Sequence, residues 1–201
     1  MAIDSVPTGS CPQIIETYRD CTRGRSNEEL VGEYFKLLAK IEKAGEKGNR
    51  SSLIQYCMLS LPFIEPLIRW GTDPSGFRIR SIPAIQELAQ AWGQQCNKAQ
   101  LANLRELVWF FPELEPWRRD IEDAERTVEL RPSFEWFFRE RRTCLRKDLP
   151  KAFPDLPREA VLRVVDDLVE VGVLKTGKAG RFVSVFVAQE NPGGTDASTQ
   201  P

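Results

Sequence analysis

The stretch Ser133-Phe134-Glu135-Trp136-Phe137-Phe138-Arg139-Glu140-Arg141-Arg142-Thr143-Cys144-Leu145, continued through residue 188, decides how this chain is read. It opens with an aromatic helix over residues 133–142 and passes through a Thr143-Cys144-Leu145 link to a second helical piece, 146–153. The turn Pro154-Asp155-Leu156 leads into a long helix, 157–171, whose apolar residues recur at helical spacing until Gly172 stops it. Two β-prone runs follow, 173–176 and 181–188, joined by Gly177-Lys178-Ala179-Gly180. The order is helix, link, helix, turn, helix, hairpin.

Towards the N-terminus the pattern is helical throughout. A short helix over 12–21 is expected on Ile14, Ile15 and Tyr18. Ser26-Asn27-Glu28-Glu29 is a capping box, with a hydroxyl at the N-cap and Glu three residues on, and the helix it starts runs to about residue 47. Leu30, Tyr34, Leu38, Ile41 and Ala44 form its apolar stripe; Lys36, Lys40, Glu42, Lys43, Glu46 and Lys47 lie outside it and read as a solvated surface with Glu–Lys pairs. Gly48-Asn49 closes that helix, and Ser51 or Ser52 caps a second on Leu53, Ile54, Cys57, Met58 and Leu61, which Pro62 and Pro66 should end or kink. After a turn-rich break at 71–76 and an extended 77–82, a second helix pair is expected over 83–95 and 98–111, then a charged helix near 113–130. Leu61-Pro62-Phe63-Ile64-Glu65-Pro66-Leu67 and Phe111-Pro112-Glu113-Leu114-Glu115-Pro116-Trp117 echo each other, sharing Pro, Glu and Pro.

Composition narrows the functional classes. Lys and Arg number 28 against 29 Asp and Glu, so the chain as a whole does not read as a non-specific nucleic-acid coat, and any such binding must come from a local patch. The absence of histidine removes Ser-His-Asp and Cys-His catalysis and histidine metal ligation. No glycine-rich phosphate loop, His-Glu-x-x-His or nucleophile elbow is present, so the expectation is a protein that is not an enzyme and carries no cofactor and no metal. Cys11, Cys21, Cys57, Cys96 and Cys144 are odd in number with no Cys-x-x-Cys pair, which suits a reducing cytoplasm. No run reads as long and apolar enough for a bilayer and the first residues lack a signal-peptide pattern, so no membrane association is expected.

The C-terminal order resembles a winged helix. The residues Glu159-Ala160-Val161-Leu162-Arg163-Val164-Val165-Asp166-Asp167-Leu168-Val169-Glu170-Val171-Gly172-Val173-Leu174 resemble the recognition helix of MarR-type winged helices, where a helix ends on glycine and runs into an apolar strand. Gly180-Arg181-Phe182 fits that family's second wing strand. Over roughly residues 27–111, the helix pairs joined by Gly-Asn and Gln-Cys-Asn turns resemble a tetratricopeptide-type repeat, without its full consensus. The expected fold class is therefore mainly α: antiparallel, tetratricopeptide-like helical hairpins followed by a winged-helix domain with a small β-hairpin. The expected organisation is an N-terminal extension (1–25), a helical domain (26–131), a winged helix (132–190) and a disordered tail (191–201).

These resemblances imply a DNA-binding transcriptional regulator whose helical domain binds a partner or signal, or self-associates. As a reader of double-stranded DNA, the long helix would present Arg158 and Arg163 to the major groove and the wing Lys178 and Arg181, with Arg146 and Lys147 reaching phosphates. Residues 133–191 carry eleven Lys and Arg against nine Asp and Glu, a net +2, and the reading helix is itself acidic. Leu162, Val169 and Val171 stand where that family has polar outward residues, which leads to the alternative: an adaptor whose winged helix packs on protein rather than DNA. The aromatic clusters Trp109-Phe110-Phe111 with Trp117, and Phe134 with Trp136-Phe137-Phe138, read first as core and then as a stacking platform.

Overall fold

A computed structural model describes residues 11–71 and 82–188. The expected extended run 77–82, apart from Ile82, and the tail at 191–201 lie outside the described residues. The chain is mostly helical, with one small three-stranded antiparallel sheet near its C-terminus. It divides into two compact units between Val128 and Glu129.

In the first unit, α1 (Cys11–Thr22) buries Ile14, Ile15 and Tyr18 in the same core as later helices, so it belongs to the domain and is not an extension of it. Its Arg19 donates two 2.9 Å hydrogen bonds to Glu65, and these hold the Glu65 carboxyl below its usual pKa. Helix α2 (Asn27–Glu46) starts on the expected capping box: Ser26 Oγ accepts from the Glu29 amide, and Glu29 accepts from the Ser26 amide. Helix α3 (Arg50–Ser60) is followed by a 3-10 turn, Leu61–Phe63, and then α4 (Ile64–Gly71). Pro62 tightens this chain without ending its helical course, and Ile64 and Ile68 stay helical and buried. Contrary to the sequence reading, the run Arg50–Trp70 is long and apolar enough by length and composition to cross a membrane; half of it is buried inside the structure, with Cys57, Leu61, Ile64 and Ile68 in the core.

Helices α5 (Pro83–Gln94) and α6 (Lys98–Phe110) repeat the plan of α2 and α3. Gly48 and Cys96 both take the left-handed conformation, with φ of +63° and +54°. The Asn49 amide donates to the Ala44 carbonyl at 3.0 Å, and the Asn97 amide donates to the Trp92 carbonyl at 2.8 Å. Each asparagine then caps the next helix, accepting from Ser52 and Gln100 respectively. These are two copies of one Schellman turn joined to an Asn N-cap. Each copy ends in a 3-10 segment with proline near its start, Leu61–Phe63 and Pro112–Trp117; Pro62 and Pro112 match in place, whereas Glu65 and Pro66 fall in α4 and Glu115 and Pro116 within the 3-10 segment.

Two helices were expected at 113–130 and near 133–142; one helix, α7 (Arg118–Arg141), spans both and contains Pro132. Proline there removes one backbone donor. The helix persists because Arg131 bonds Glu135 across the proline at 2.7 Å, and Phe134, Phe137 and Phe138 are buried in the next turns. Earlier on α7, Ala124 meets Gly93 of α5 so closely that a Cβ on Gly93 would stand 3.1 Å from the Ala124 Cβ.

The second unit continues from α7 through β1 (Thr143–Leu145), a 3-10 turn (Arg146–Asp148), α8 (Leu149–Ala152), α9 (Arg158–Glu170), β2 (Leu174–Ala179) and β3 (Phe182–Val187). The Thr143-Cys144-Leu145 link is thus a strand, and it pairs with β3 to give the sheet order β1-β3-β2. Val161, Val164, Val165 and Leu168 form the buried stripe of α9 over Phe134, Phe138, Leu149, Leu174 and Val185. Phe153 stacks on Phe134 with centroids 4.1 Å apart. Helix α9 ends on Gly172, φ +78°, while the Val173 amide donates to the Leu168 carbonyl.

Burial pushes the Cys57 thiol up to about 12 from 9.0 and the Tyr34 hydroxyl up to about 12 from 10.0. Both groups are thus held neutral in the fold while the unfolded chain ionises first, so their contribution to stability is complete below about pH 9 and is lost as pH rises towards 12. The urea midpoint is expected to fall across that window; a midpoint that stays level would contradict the burial of both groups. In the folded protein exposed Cys96 should react readily with a thiol reagent and Cys57 only after denaturation. Gly93→Val is expected to cost about 1–3 kcal/mol in urea unfolding, because α5 and α7 must separate to admit it.

Candidate nucleic-acid interface

The β1–β3 register pairs Thr143 with Phe186 and Leu145 with Ser184. β1 ends at Leu145, and the 3-10 turn Arg146–Asp148 that follows brings Lys147 to Phe182. Lys147 Nζ lies 3.6 Å from the Phe182 ring centroid, and the Arg181 guanidinium carbon lies 5.0 Å from the same centroid. Two cations distant in sequence thus converge on one aromatic face, an arrangement electrostatically favourable by about 0.5–1 kcal/mol per pair at an exposed site. Gly180, φ +61°, and Arg181 alone make the hairpin turn in place of the expected four-residue loop over 177–180: β2 runs on to Ala179 and β3 starts at Phe182. Lys178 is therefore a strand residue opposite Val183, on the other face of the hairpin from Phe182.

The other expected contacts separate. Arg146 is bound at two points to Asp166 of α9, with the second bond at 2.8 Å, and that carboxylate raises its pKa. This ion pair occupies the guanidinium that was expected to reach phosphate. Arg158 and Arg163 are both exposed on α9, but five helical positions turn them roughly 140° apart. Arg158 stands in the first turn of α9, where the helix dipole adds positive potential. Glu159, Asp166 and Glu170 are exposed on the same helix.

Leu162, Val169 and Val171 are each half-buried, and Val169 packs against the core of its own unit. Among the described residues the large apolar side chains most open to solvent in this unit are Trp136, Val183 and Val187. Of the second aromatic cluster, Phe134, Phe137 and Phe138 are core and Trp136 is exposed. Of the first, Phe111 is core, Trp117 packs partly against it, and Trp109 carries Arg118 over its ring at 5.2 Å. Among the described residues no group of three or more His, Cys, Asp or Glu side chains is placed to hold a metal ion.

Phe182 reads in the sequence only as part of the second wing strand, and its contact with Lys147 is not legible there because that lysine lies 35 positions earlier. An available signal was Thr-Cys-Leu before Arg-Lys: a β-branched residue and a leucine flanking cysteine, the period of a short strand. Compared with protein-family models, with curated proteins and with solved structures, the chain matches none.

Proposed function

We propose that this protein is a DNA-binding transcriptional regulator whose C-terminal unit is a winged helix of the MarR type and whose tetratricopeptide-like helical unit recruits a protein partner or self-associates. The observation that carries the reading is the convergence of Lys147 and Arg181 on Phe182 beside a sheet of order β1-β3-β2. A strand between two helices that pairs with the second strand of a terminal hairpin supports the winged-helix reading. In this reading the hairpin leads: Lys147, Lys178 and Arg181 lie along phosphates, and Arg158 approaches from the positive end of α9. The middle of α9 stays out of the groove, since Arg146 is engaged by Asp166 and the neighbouring exposed groups are largely acidic.

About four phosphate contacts predict that affinity of the full chain for a short duplex falls on the order of 100-fold between 50 and 200 mM salt. Lys147→Ala/Arg181→Ala should flatten that dependence by about two charges, whereas Arg146→Ala should change it little. Fluorescence anisotropy measures all three; absence of duplex binding at low salt sinks the proposal.

The adaptor reading draws on the same Arg146–Asp166 pair, which ties the outer face of α9 to its own unit and leaves it acidic. It predicts that Leu162→Asp alters the assembly state in light scattering while the circular dichroism spectrum is retained. An unchanged mass would count against it.

A further inference from the structure

The first unit holds a second charged feature that the DNA reading does not use. Lys36, Lys40, Lys43 and Lys47 follow one another at spacings of four, three and four, which sets them on a single stripe of α2 roughly 16 Å long. The Glu–Lys pairs expected from the sequence do not form: among the described residues no carboxylate lies within ion-pair distance of these four ammonium groups. Glu33 is held by Arg25, whose hydrogen bond, with a smaller contribution from Lys36, keeps its carboxyl below the usual range. All four lysines are exposed, and Lys40 Nζ lies 5.6 Å from the Tyr56 ring centroid.

Two depressions in the same unit border the stripe and share Lys40. The larger, about 790 Å³, lies between α1 and α2 and has an apolar floor of Leu37, Leu59, Pro62 and Phe63, with Lys36 and Lys40 on its rim. The smaller, about 300 Å³, is lined by Lys40, Lys43 and Lys47 with Asn49, Ser52 and Tyr56, polar groups suited to a carboxylate. An open groove with an apolar floor and one cationic edge is complementary to an extended chain bearing apolar and acidic residues together. Asp20 and Glu33 also line the larger groove; Glu33 lies on α2 three residues before Lys36 and accepts a hydrogen bond from Arg25, so the carboxylates of a ligand are placed towards Lys40 and Lys43.

The geometry points to this groove as the docking site for an acidic, amphipathic segment of a partner protein, its apolar side chains on Leu37, Leu59 and Phe63 and its carboxylates towards Lys40 and Lys43. This deepens the partner-recruiting part of the proposed function and is independent of the DNA-binding part.

The test uses the full chain and a short fluorescein-labelled peptide alternating Asp and Glu with Leu and Phe. Binding is expected, weakened about tenfold by Lys40→Gln/Lys43→Gln and further by the charge-reversed pair Lys40→Glu/Lys43→Glu, at unchanged thermal midpoint. A peptide with the acids replaced by Asn and Gln, and polyglutamate of matched charge, should each bind at least about tenfold less tightly than the probe. Equal binding of polyglutamate, indifference to the lysine substitutions, or an affinity for duplex DNA or anionic phosphatidylserine vesicles that these substitutions abolish while the peptide fails to bind would each overturn it. Because Lys147→Ala/Arg181→Ala should leave peptide binding intact, loss of the DNA reading and loss of this one are separate results.

Discussion

The C-terminal unit depends on one antiparallel register, Thr143 on Phe186 through Leu145 on Ser184. A lone hairpin of β2 and β3 is marginal in water, and the third strand makes it a sheet. Arg142, at φ +56°, turns the chain straight from α7 into that strand while its amide bonds back to Phe138. The sheet then covers the valine stripe of α9 through Leu174 and Val185. The 3-10 turn that leaves β1 then sets Lys147 on Phe182, so the cationic surface forms at the end of the strand that completes the sheet.

Charge pairing decides which of the many basic side chains remain available. Arg146 is spent on Asp166, Arg19 on Glu65 and Arg25 on Glu33, each through hydrogen bonds that bring distant or neighbouring elements together. Lys147 and Arg181 meet an aromatic ring in place of an acid, and a ring leaves an ammonium's charge uncancelled. Among the described residues the lysines of α2 form no ion pair, and Lys36 acts on Glu33 only at longer range. A chain with near-zero net charge thereby keeps two separate positive regions, one in each unit.

The first unit is built from a doubled module. Left-handed Gly48 and Cys96 place Asn49 and Asn97 identically, each closing one helix and opening the next. Glycine accepts that conformation at little cost, whereas Cys96 adopts it at a cost of roughly 1–2 kcal/mol. Both second helices then lead into 3-10 segments with proline near their start, before α4 and α7 begin.

Local chemistry alone determined the capping box at Ser26, the two asparagine turns, the helix stop at Gly172 and the periodic valines of α9, because each depends on residues within one or two turns. Tertiary structure decided the rest. Pro132 reads as a break, yet α7 runs through it because buried phenylalanines and the Arg131–Glu135 bond outweigh one missing donor. Thr143–Leu145 is too short to declare itself a strand until β3 offers its edge. Arg146 and Lys147 are adjacent and alike on paper; one is neutralised by Asp166 and the other is displayed over Phe182, since the 3-10 turn that carries both sends successive side chains about 120° apart. Which charges a protein shows depends on which acids the folded chain brings within reach, and that is a property of long-range contacts.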